Sequence, residues 1–205
     1  MQIRELSVPG SFEVTPVVRS DDRGRFLEWY RFDALEEAVG HALSLRQANL
    51  SVSKRGVLRG IHFADVPLGQ AKYVTAASGA VLDFVVDIRT GSPTFGRWDS
   101  VLLDSRDHRA IYLSEGLGHA FLALTDDATV SYLVSDVYRP DREHGITPLD
   151  PDIALVFPDD TPEPALSAKD VAAPTLAEAK ERGLLPSYEE CLAFTASLDA
   201  VPESS

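Results

Sequence analysis

Short strand-like stretches follow one another at regular spacing through the middle of the chain. They cover residues 72–77, 80–88, 99–103, 109–113, 119–125 and 129–134. The segments between them are short and rich in Gly, Ser, Asp and Pro, the residues that favour turns. Many short strands with few helices between them are typical of an antiparallel β-sandwich or barrel. The pattern therefore predicts an all-β fold.

The length and composition fit one globular domain. The chain has 205 residues, of which 44% are hydrophobic and 25% charged, so we expect residues 1–205 to form a single domain with a substantial core. No apolar run approaches the length of a membrane span, and the first residues lack the apolar segment of a signal peptide, so we expect a cytoplasmic location and no membrane partner. The single cysteine, Cys191, excludes an internal disulfide, which agrees with a reducing compartment.

The charge balance excludes one large class of partner. A formal net charge of −13 argues against non-specific nucleic-acid binding, which needs a basic face. It does not exclude a small anionic ligand, because a local cluster of Arg and Lys in a cleft can still be positive. We therefore expect no nucleic-acid partner, and the charge balance leaves a small anionic substrate open.

A short helix is predicted early in the chain, over residues 33–40. Asp33 is placed as its N-cap, Glu36 follows three residues later as in an acidic capping box, and Gly40 can end the helix. This helix is expected to be a surface connection without a chemical role.

Two further helices are predicted near the C-terminus, at about residues 175–195. Thr175 with Glu178, and Ser187 with Glu190, each have the spacing of a capping box. No internal repeat or linker divides the chain, which agrees with a single domain.

A strand over residues 45–53 has one polar and one apolar stripe. The polar stripe contains Gln47, Asn49, Ser51 and Ser53, and the apolar stripe contains Ala48, Leu50 and Val52. A polar stripe of this kind usually faces solvent, but Gln47 and Asn49 would equally suit the wet interior of a barrel. The residues alone leave both orientations open.

The segment GVLRGIHF, residues 56–63, is the strongest indication of an active site. Arg59 and His62 interrupt an otherwise apolar strand, and the period-2 geometry of a strand would send them to opposite faces. Gly60 between them would allow a bulge that turns both into one cavity. With Lys72 at the start of the next strand, the segment offers a guanidinium for an anion, an imidazole for a proton and an ammonium for developing negative charge.

Other candidates each have an ordinary structural explanation when taken singly. Tyr132 could be a core tyrosine, Lys72 an edge-strand charge and Asp170 the cap of a turn. His119 is placed at the start of a strand near a barrel mouth, and Arg23 at the tip of a surface turn.

Two acidic residues of one strand are interpreted as structural. Asp83 and Asp87 lie in the apolar run VLDFVVDI and need partners such as Arg89 or backbone amides.

The motif content favours acid–base chemistry. None of the five histidines forms a closely spaced pair, and position 64, where a metal-binding barrel would repeat His62, is Ala64. The sequence contains no phosphate-binding glycine loop and no nucleophile elbow. Proton transfer by His, Tyr, Lys and Asp is then the best enzymatic hypothesis, and no metal is predicted.

Five segments together resemble the dTDP-4-dehydrorhamnose 3,5-epimerase family. They are NLSVSKRGVLRGIHF, QAKY, VVDIRTGSPTFGRW, GLGHAFLAL and LSAKD, and they keep the order and spacing of that family. The likeness runs from about residue 10 to about residue 188. The resemblance implies a cupin-like jelly-roll barrel with short peripheral helices, mainly C-terminal, and a homodimer. It also implies a dTDP-linked 4-keto-6-deoxysugar as substrate, and catalysis without a metal or organic cofactor.

The resemblance also implies roles for individual residues. His62 would be the base that removes a proton next to the C4 ketone, Asp170 the carboxylate that orients it, and Tyr132 the acid on the opposite face. Lys72 would stabilise the enolate, and Tyr138 would stack on the thymine ring. The implied substrate-contact residues are Arg23, Glu28, Gln47, Asn49, Arg59, His119, Glu143 and Lys169.

Two departures point to the branch of the family that makes antibiotic deoxysugars. Ala48 stands where many relatives carry an acid, and the segment after Tyr132 reads LVSDVY without the lysine common in the rhamnose enzymes. Members of that branch can invert only C3 or only C5, so the position of inversion stays open. The alternatives are a non-catalytic nucleotide-sugar-binding cupin and a dTDP-sugar 3,4-ketoisomerase.

Overall fold

A computed structural model describes residues 1–198 of the chain. The strands are β1 (Gln2–Glu5), β2 (Ser11–Thr15), β3 (Arg19–Asp21), β4 (Gly24–Phe26), β5 (Gln47–Ser53), β6 (Leu58–Ala64), β7 (Lys72–Ser78), β8 (Ala80–Val86), β9 (Trp98–Asp104), β10 (Ala110–Leu113), β11 (Gly118–Ala123), β12 (Ala128–Val134) and β13 (Glu143–Gly145). The helices are α1 (Phe32–Val39), α2 (Ala168–Val171), α3 (Leu176–Glu181) and α4 (Tyr188–Leu198). The six strands predicted between residues 72 and 134 are confirmed, each with ends within two residues of the prediction.

Two antiparallel sheets form the body of the fold. The first sheet has the order β1-β2-β10-β7-β12-β5, and the second has the order β13-β6-β11-β8-β9. The inward side chains of both sheets meet in one apolar cluster, to which β7 contributes Val74, β8 Val85, β11 Phe121 and β12 Val130. We call the space between the two sheets the lumen. Strands β3 and β4 pair only with each other and form a separate hairpin.

Helices cover part of the outer face of each sheet. Leu35 of α1 packs with Tyr73 and Tyr112 on the outside of the first sheet. Ile61 on the outside of the second sheet belongs to a cluster that includes Leu176 of α3. These outer clusters leave the lumen as the interior on which the two sheets converge.

Helix α1 starts two residues earlier than the sequence predicts. Its N-cap residue is Arg31, whose side chain makes no capping hydrogen bond. Asp33 lies in the first turn and forms an ion pair with Arg31. The predicted N-cap role of Asp33 is therefore wrong. The carboxylate still lies near the positive end of the helix dipole, where a negative charge is favourable. The predicted end at Gly40 is confirmed.

The C-terminal helices agree with their predicted caps. Thr175 and Glu178 form the complete capping box of α3, and at α4 the Glu190 N–H donates to Ser187 Oγ over 3.4 Å. The four-residue helix α2 was not predicted, because one turn is too short to show helical periodicity. Within residues 1–198 no helix combines the length and the apolar character needed to cross a bilayer.

The sequence left open whether the polar stripe of β5 faces solvent or the interior of the barrel. Its polar residues face the lumen, and its apolar residues face outward, where Leu50 is 64% and Val52 is 54% exposed. The strand lies at the edge of the first sheet. The wet-interior alternative for Gln47 and Asn49 is therefore the one that the structure shows.

Candidate active site

A β-bulge in β6 places Arg59 and His62 on the same side of the sheet. His62 is opposite His119 on β11, but Arg59 is opposite Phe121, so three residue steps on β6 match two on β11. Gly60 lies inside the bulge with φ +122°, and a Cβ there would come within 2.5 Å of the His119 carbonyl oxygen. Only glycine fits this backbone. The predicted bulge at Gly60 is confirmed, and it brings both side chains to the same side of the sheet.

His62 forms a hydrogen-bonded pair with the buried carboxylate of Asp170. The distance from His62 Nε2 to Asp170 Oδ1 is 2.7 Å, and Asp170 is 4% exposed. Because a carboxylate only accepts, Nε2 carries the proton and Nδ1 keeps its lone pair free to accept another. Burial opposes ionisation of Asp170, but hydrogen bonds with His62 and Ser167 outweigh it and lower the pKa of Asp170 below 3.8.

Ser167 supports the Asp170 carboxylate from below. Its hydroxyl donates to Asp170 Oδ2 over 2.8 Å and accepts the Asp170 backbone N–H over 3.1 Å, as the N-cap of α2. The sequence analysis did not single out Ser167. Its spacing of three residues before an acid, as in a capping box, was the signal that could have identified it.

Lys72 is a buried cation inside the lumen. It lies on the central strand β7, between β10 and β12, and is 8% exposed. Burial lowers the pKa of Lys72, while the nearby carboxylates of Glu143 and Asp83 oppose that shift. The alternative of an edge-strand charge in water is therefore wrong.

Asp83 is part of the lumen site. Its Oδ1 and Oδ2 lie 3.0 and 2.9 Å from Nε2 of His119. Burial raises the pKa of Asp83, and His119 and Lys72 counteract that rise. The predicted partners of Asp83, Arg89 or backbone amides, are wrong, because its carboxylate pairs with His119.

Asp87 has the structural role predicted for it. Its carboxylate accepts from Arg89 Nε over 2.9 Å and from Arg89 Nη2 over 2.8 Å. Ser92 and Thr94 of the SPTFG motif also donate to Asp87 over 2.6 Å. This network holds the loop after β8 in place.

Tyr132 points into the lumen from the wall opposite His62. It lies on β12 in the first sheet, packs against the lumen cluster and is half-buried. Burial raises the pKa of Tyr132, while Arg59 opposes the shift and Glu143 adds to it. The phenol is therefore protonated at neutral pH, and it can donate a proton.

The polar residues around one end of the lumen form its mouth. Gln47 Nε2 donates to Asn49 Oδ1 over 2.7 Å, and the Tyr138 backbone N–H donates to Gln47 Oε1 over 3.1 Å. The ring of Tyr138 is exposed at this mouth. Glu143, the first residue of β13, lies close enough to Lys72 for its charge to act on the pKa of Lys72. Lys169 is exposed next to Asp170, on whose pKa its charge acts.

Two of the predicted substrate contacts are not brought to the lumen. Arg23 lies at the tip of the β3–β4 hairpin, as predicted, with a side chain that is 89% exposed and paired with Asp21. Glu28 follows the hairpin and is 60% exposed, 3.7 Å from Arg31. Both side chains point into solvent in the single chain.

The arrangement suits proton transfer at a carbon held between two walls. A histidine with an orienting carboxylate faces a protonated tyrosine across the lumen, and a buried ammonium lies on the tyrosine's wall. Such a site can remove a proton from one face of a substrate carbon and deliver one to the other face. Among residues 1–198 no group of three or more His, Cys, Asp or Glu side chains is placed to hold a metal ion.

Comparison with known proteins identifies the family. The family model described as dTDP-4-dehydrorhamnose 3,5-epimerase matches residues 5–178. The chain belongs to the dTDP-4-dehydrorhamnose 3,5-epimerase family. It is 57% identical to the dTDP-4-dehydrorhamnose 3,5-epimerase of Mycolicibacterium smegmatis, over 97% of each chain.

Two solved structures of this epimerase family have the same fold. One is a 4-keto-6-deoxy sugar epimerase from the novobiocin biosynthetic gene cluster of Streptomyces spheroides, with a TM-score of 0.90, 55% identity and coverage of 93% of this chain and 95% of that one. The other is a 3'-monoepimerase from Streptomyces bikiniensis in complex with dTDP-quinovose, with a TM-score of 0.92, 49% identity and coverage of 96% and 98%. The predicted cupin-like jelly roll and the predicted epimerase are confirmed, and the epimerase is supported over the binding module and the ketoisomerase.

Proposed function

We propose that this epimerase inverts C3, C5 or both in a dTDP-4-keto-6-deoxyhexose. His62 removes the proton next to the C4 ketone, and Tyr132 returns a proton to the opposite face. The observation that carries the proposal is the position of these two groups on facing walls of one lumen. Inversion needs a base and an acid on opposite sides of the carbon, whereas a binding module needs neither.

The base works through its pairing with Asp170. His62 Nδ1 takes the proton from carbon while Nε2 keeps its hydrogen bond to Asp170. The carboxylate holds the ring orientation and stabilises the imidazolium that forms. General acid–base catalysis of this kind contributes about 10²- to 10⁴-fold in rate.

The enolate left behind requires a positive neighbour. A proton next to a ketone is far less acidic than an imidazolium, so the base alone is insufficient, and Lys72 supplies a hydrogen bond to the developing oxyanion. Desolvation makes this ammonium a stronger donor than one in water. Loss of one such donor typically costs about 3 kcal/mol of barrier.

Tyr132 completes the inversion as the acid, and both catalytic groups then return to their starting protonation states. The Tyr132 hydroxyl protonates the enolate carbon from the far wall, and a phenolate remains. The proton held by His62 then returns through solvent to Tyr132, which restores both groups for the next turnover.

The mouth of the lumen suits the nucleotide. Arg59, held by a 3.1 Å hydrogen bond from its Nε to Ser53 Oγ, provides guanidinium donors for a diphosphate. The exposed ring of Tyr138 provides a face for thymine. Gln47, Asn49, His119, Glu143 and Lys169 complete the proposed substrate contacts.

We infer a homodimer from the surfaces that the single chain leaves open. The outward stripe of β5, with Leu50 and Val52, is an exposed apolar edge of a sheet. Arg23 and Glu28 are solvent-exposed on a projecting hairpin. We propose that a second copy covers the stripe and that the hairpin of each subunit reaches the mouth of the other. A single domain over 1–205 and a cytoplasmic location remain predictions.

Proton NMR in heavy water tests the function. With dTDP-4-keto-6-deoxyglucose as substrate, we expect the H3 or H5 signal, or both, to disappear as solvent deuterium enters, and new signals of the inverted sugar to grow. His62→Ala should nearly abolish exchange while dTDP affinity stays within a few-fold. Binding of dTDP without any exchange by the wild type would refute the enzymatic proposal.

A further inference from the structure

Asp83 is a fully buried acid to which the proposed mechanism gives no role. It lies in the middle of β8 and is 0% exposed. Val81 and Val85, two residues away on either side, belong to the lumen cluster. Because side chains two apart on a strand share a face, the Asp83 carboxylate points into the lumen. Its charge therefore acts inside the cavity that the substrate of the proposed function would occupy.

Asp83 differs from Asp87, the other fully buried acid of the same run. Asp87 accepts from two nitrogens of Arg89 and from two hydroxyls of the SPTFG motif. Within residues 1–198, the one side chain that donates to Asp83 is His119. A carboxylate buried for the fold alone is expected to have a full set of donors, as Asp87 has. The fold alone therefore does not account for Asp83.

The contact with His119 has the geometry of an ionised carboxylate. In the pairing of β8 with β11, His119 is opposite Val85 and Phe121 is opposite Asp83, so His119 lies diagonally across from Asp83 on the same face. Its Nε2 is 3.0 Å from Oδ1 and 2.9 Å from Oδ2. Two nearly equal distances fit one N–H that donates to both oxygens of a carboxylate, whereas a carboxylic acid would turn its single O–H toward the nitrogen.

Lys72 is the cation that this carboxylate faces across the lumen. It shares its strand face with Val74 and Ala76 of the lumen cluster, on the sheet opposite β8. Burial lowers the pKa of Lys72, and the negative charges of Glu143 and Asp83 oppose that shift. The interaction is mutual, because Lys72 counteracts the rise that burial causes in the pKa of Asp83. Each charge is thus stabilised by the other in a place where burial favours the neutral forms.

The strands next to β7 place apolar residues beside Lys72. Its partners in register are Leu113 on β10 and Val134 on β12. Farther away, Glu13 on β2 is ion-paired with arginines outside the lumen site, and Asp99 on β9 accepts a backbone N–H. The charges of Asp83 and Glu143 are therefore the ones that support the ammonium. The other ionisable side chains of the lumen site are neutral or positive at neutral pH, and they are Arg59, His62, His119 and Tyr132.

We propose that Asp83, held in place by His119, is a positioning residue that keeps Lys72 protonated as the oxyanion donor of the proposed epimerisation. This role rests on the proposed function, because the oxyanion arises only in that reaction. Asp83 acts through Lys72. A carboxylate in contact with the enolate would repel it, whereas one paired with the ammonium preserves the positive charge that the enolate needs.

The first test is an NMR titration of the protein without substrate. The chain has four lysines, so protein labelled with ¹³C and ¹⁵N in its lysine side chains gives few signals, and Lys72→Arg identifies that of Lys72. Asp83→Asn removes the counter-charge at nearly constant shape, and we expect the midpoint of the Lys72 titration to fall by about 1 pH unit or more. Asp87→Asn is the matched control, because it removes an equally buried carboxylate whose partners lie outside the lumen site. It should leave the Lys72 midpoint unchanged.

The second test is the pH dependence of deuterium exchange into the substrate. The ratio of the wild-type rate to the Asp83→Asn rate should rise between about pH 6 and about pH 9, because the variant loses its ammonium at lower pH. At its largest the ratio should be about tenfold or more. A purely structural defect would lower the rate by the same factor at every pH, and a constant ratio would therefore overturn the proposal.

The wild type alone also decides the matter if Asp83→Asn does not fold. The ¹³C signal of the Asp83 carboxyl group should have the position of a carboxylate at about pH 7, and a protonated Asp83 would overturn the proposal. Equal Lys72 midpoints in wild type and Asp83→Asn, or an equal fall of the midpoint in Asp87→Asn, would do the same.

Failure of this proposal is distinguishable from failure of the proposed function. Normal exchange by the wild type, with a Lys72 midpoint that Asp83→Asn leaves unchanged, would overturn the role of Asp83 alone. Absence of exchange by the wild type, with a midpoint that Asp83→Asn lowers, would overturn the epimerisation and leave Asp83 as the counter-charge of Lys72.

Discussion

Individual charges in the lumen stand in an environment that opposes them. Lys72 and Asp83 are almost fully buried. Burial lowers the pKa of Lys72 and raises the pKa of Asp83, and each shift favours the uncharged form. A sandwich core gains little stability from such groups, since apolar residues of equal volume often serve as well or better. Their presence in a lumen that also holds the His62–Asp170 pair is therefore best explained by chemistry on a substrate.

The pairing of His62 with Asp170 predicts the effect of Asp170→Asn. An amide in place of the carboxylate no longer stabilises an imidazolium, so we expect the exchange rate to fall by about 10²- to 10⁴-fold. Deuterium exchange measured by NMR at saturating substrate gives this rate. Asp65→Asn, which breaks the surface pair of Asp65 with His144 over 2.7 Å, is the control and should keep full activity.

The same substitution changes how stability depends on pH. Because the pKa of Asp170 in the folded protein lies below its ordinary 3.8, the ionised carboxylate stabilises the fold above pH 3.8. That contribution is lost as pH falls through the folded-state pKa. Below about pH 5 the difference in unfolding free energy between wild type and Asp170→Asn should shrink as the pH falls through 3.8 and lower, as measured by urea unfolding. A difference that grows over this acidic range would contradict the assignment.

Removing the acid should separate exchange from inversion. In Tyr132→Phe the base can still take the proton and return solvent deuterium to the same face, so we expect exchange within about tenfold of wild type but little inverted product. NMR follows both, since exchange removes a signal and inversion changes the ring couplings.

Tyr73→Phe is the matched control, because the Tyr73 hydroxyl donates to the Trp29 carbonyl outside the lumen. It should cost about 1 kcal/mol of stability and leave inversion intact. Normal inversion by Tyr132→Phe would exclude the phenol as the acid.

At the scale of elements, the sequence predicted features that depend on residues close together in the chain. It did not predict contacts that depend on how neighbouring strands are aligned. The bulge could be predicted because Gly60 stands between two polar residues of one strand. The pairing of Asp83 with His119 could not, since it joins residues 36 apart through the alignment of β8 with β11. The orientation of β5 was open for a related reason: alternation fixes which residues share a face, but not which face is inside.

The bulge itself predicts a strong effect of Gly60→Ala. The added Cβ would meet the His119 carbonyl and Ala120 at 2.5 Å in a backbone conformation with φ +122°. Steric strain and overpacking together should cost about 3 kcal/mol, and displacement of His62 should reduce exchange. Gly91→Ala is the control, because φ is +86° but no atom lies within 4 Å of the new Cβ. It should cost only about 1 kcal/mol in thermal unfolding and should not alter exchange. Equal losses in the two variants would mean that the close packing at Gly60 has no effect.

At the scale of the whole molecule, the exposed stripe of β5 predicts the dimer contact. Leu50→Glu combined with Val52→Glu places two charges on an apolar edge without touching the lumen face. We expect sedimentation equilibrium to show a dimeric wild type and a monomeric double variant, with the same far-UV circular dichroism spectrum for both. Leu102→Glu, at a 37% exposed position of β9 in the other sheet, should stay dimeric. A dimer that persists in the double variant would place the contact elsewhere.

The proposed exchange of hairpins makes a prediction that only a mixed dimer can test. If Arg23 serves the lumen of the partner subunit, a dimer of one Arg23→Ala chain and one His62→Ala chain has one site with both residues intact and one with neither. Random pairing of equal amounts gives mixed dimers as half of the population, so activity at low substrate should recover to about one quarter of wild type. Each variant alone should be far below that value, because one lacks the base and the other a guanidinium for the diphosphate. Co-expression with two affinity tags and measurement of kcat/KM provides the test. If Arg23 instead acted in its own chain, every site in the mixture would carry a defect, and activity would not exceed the average of the two variants.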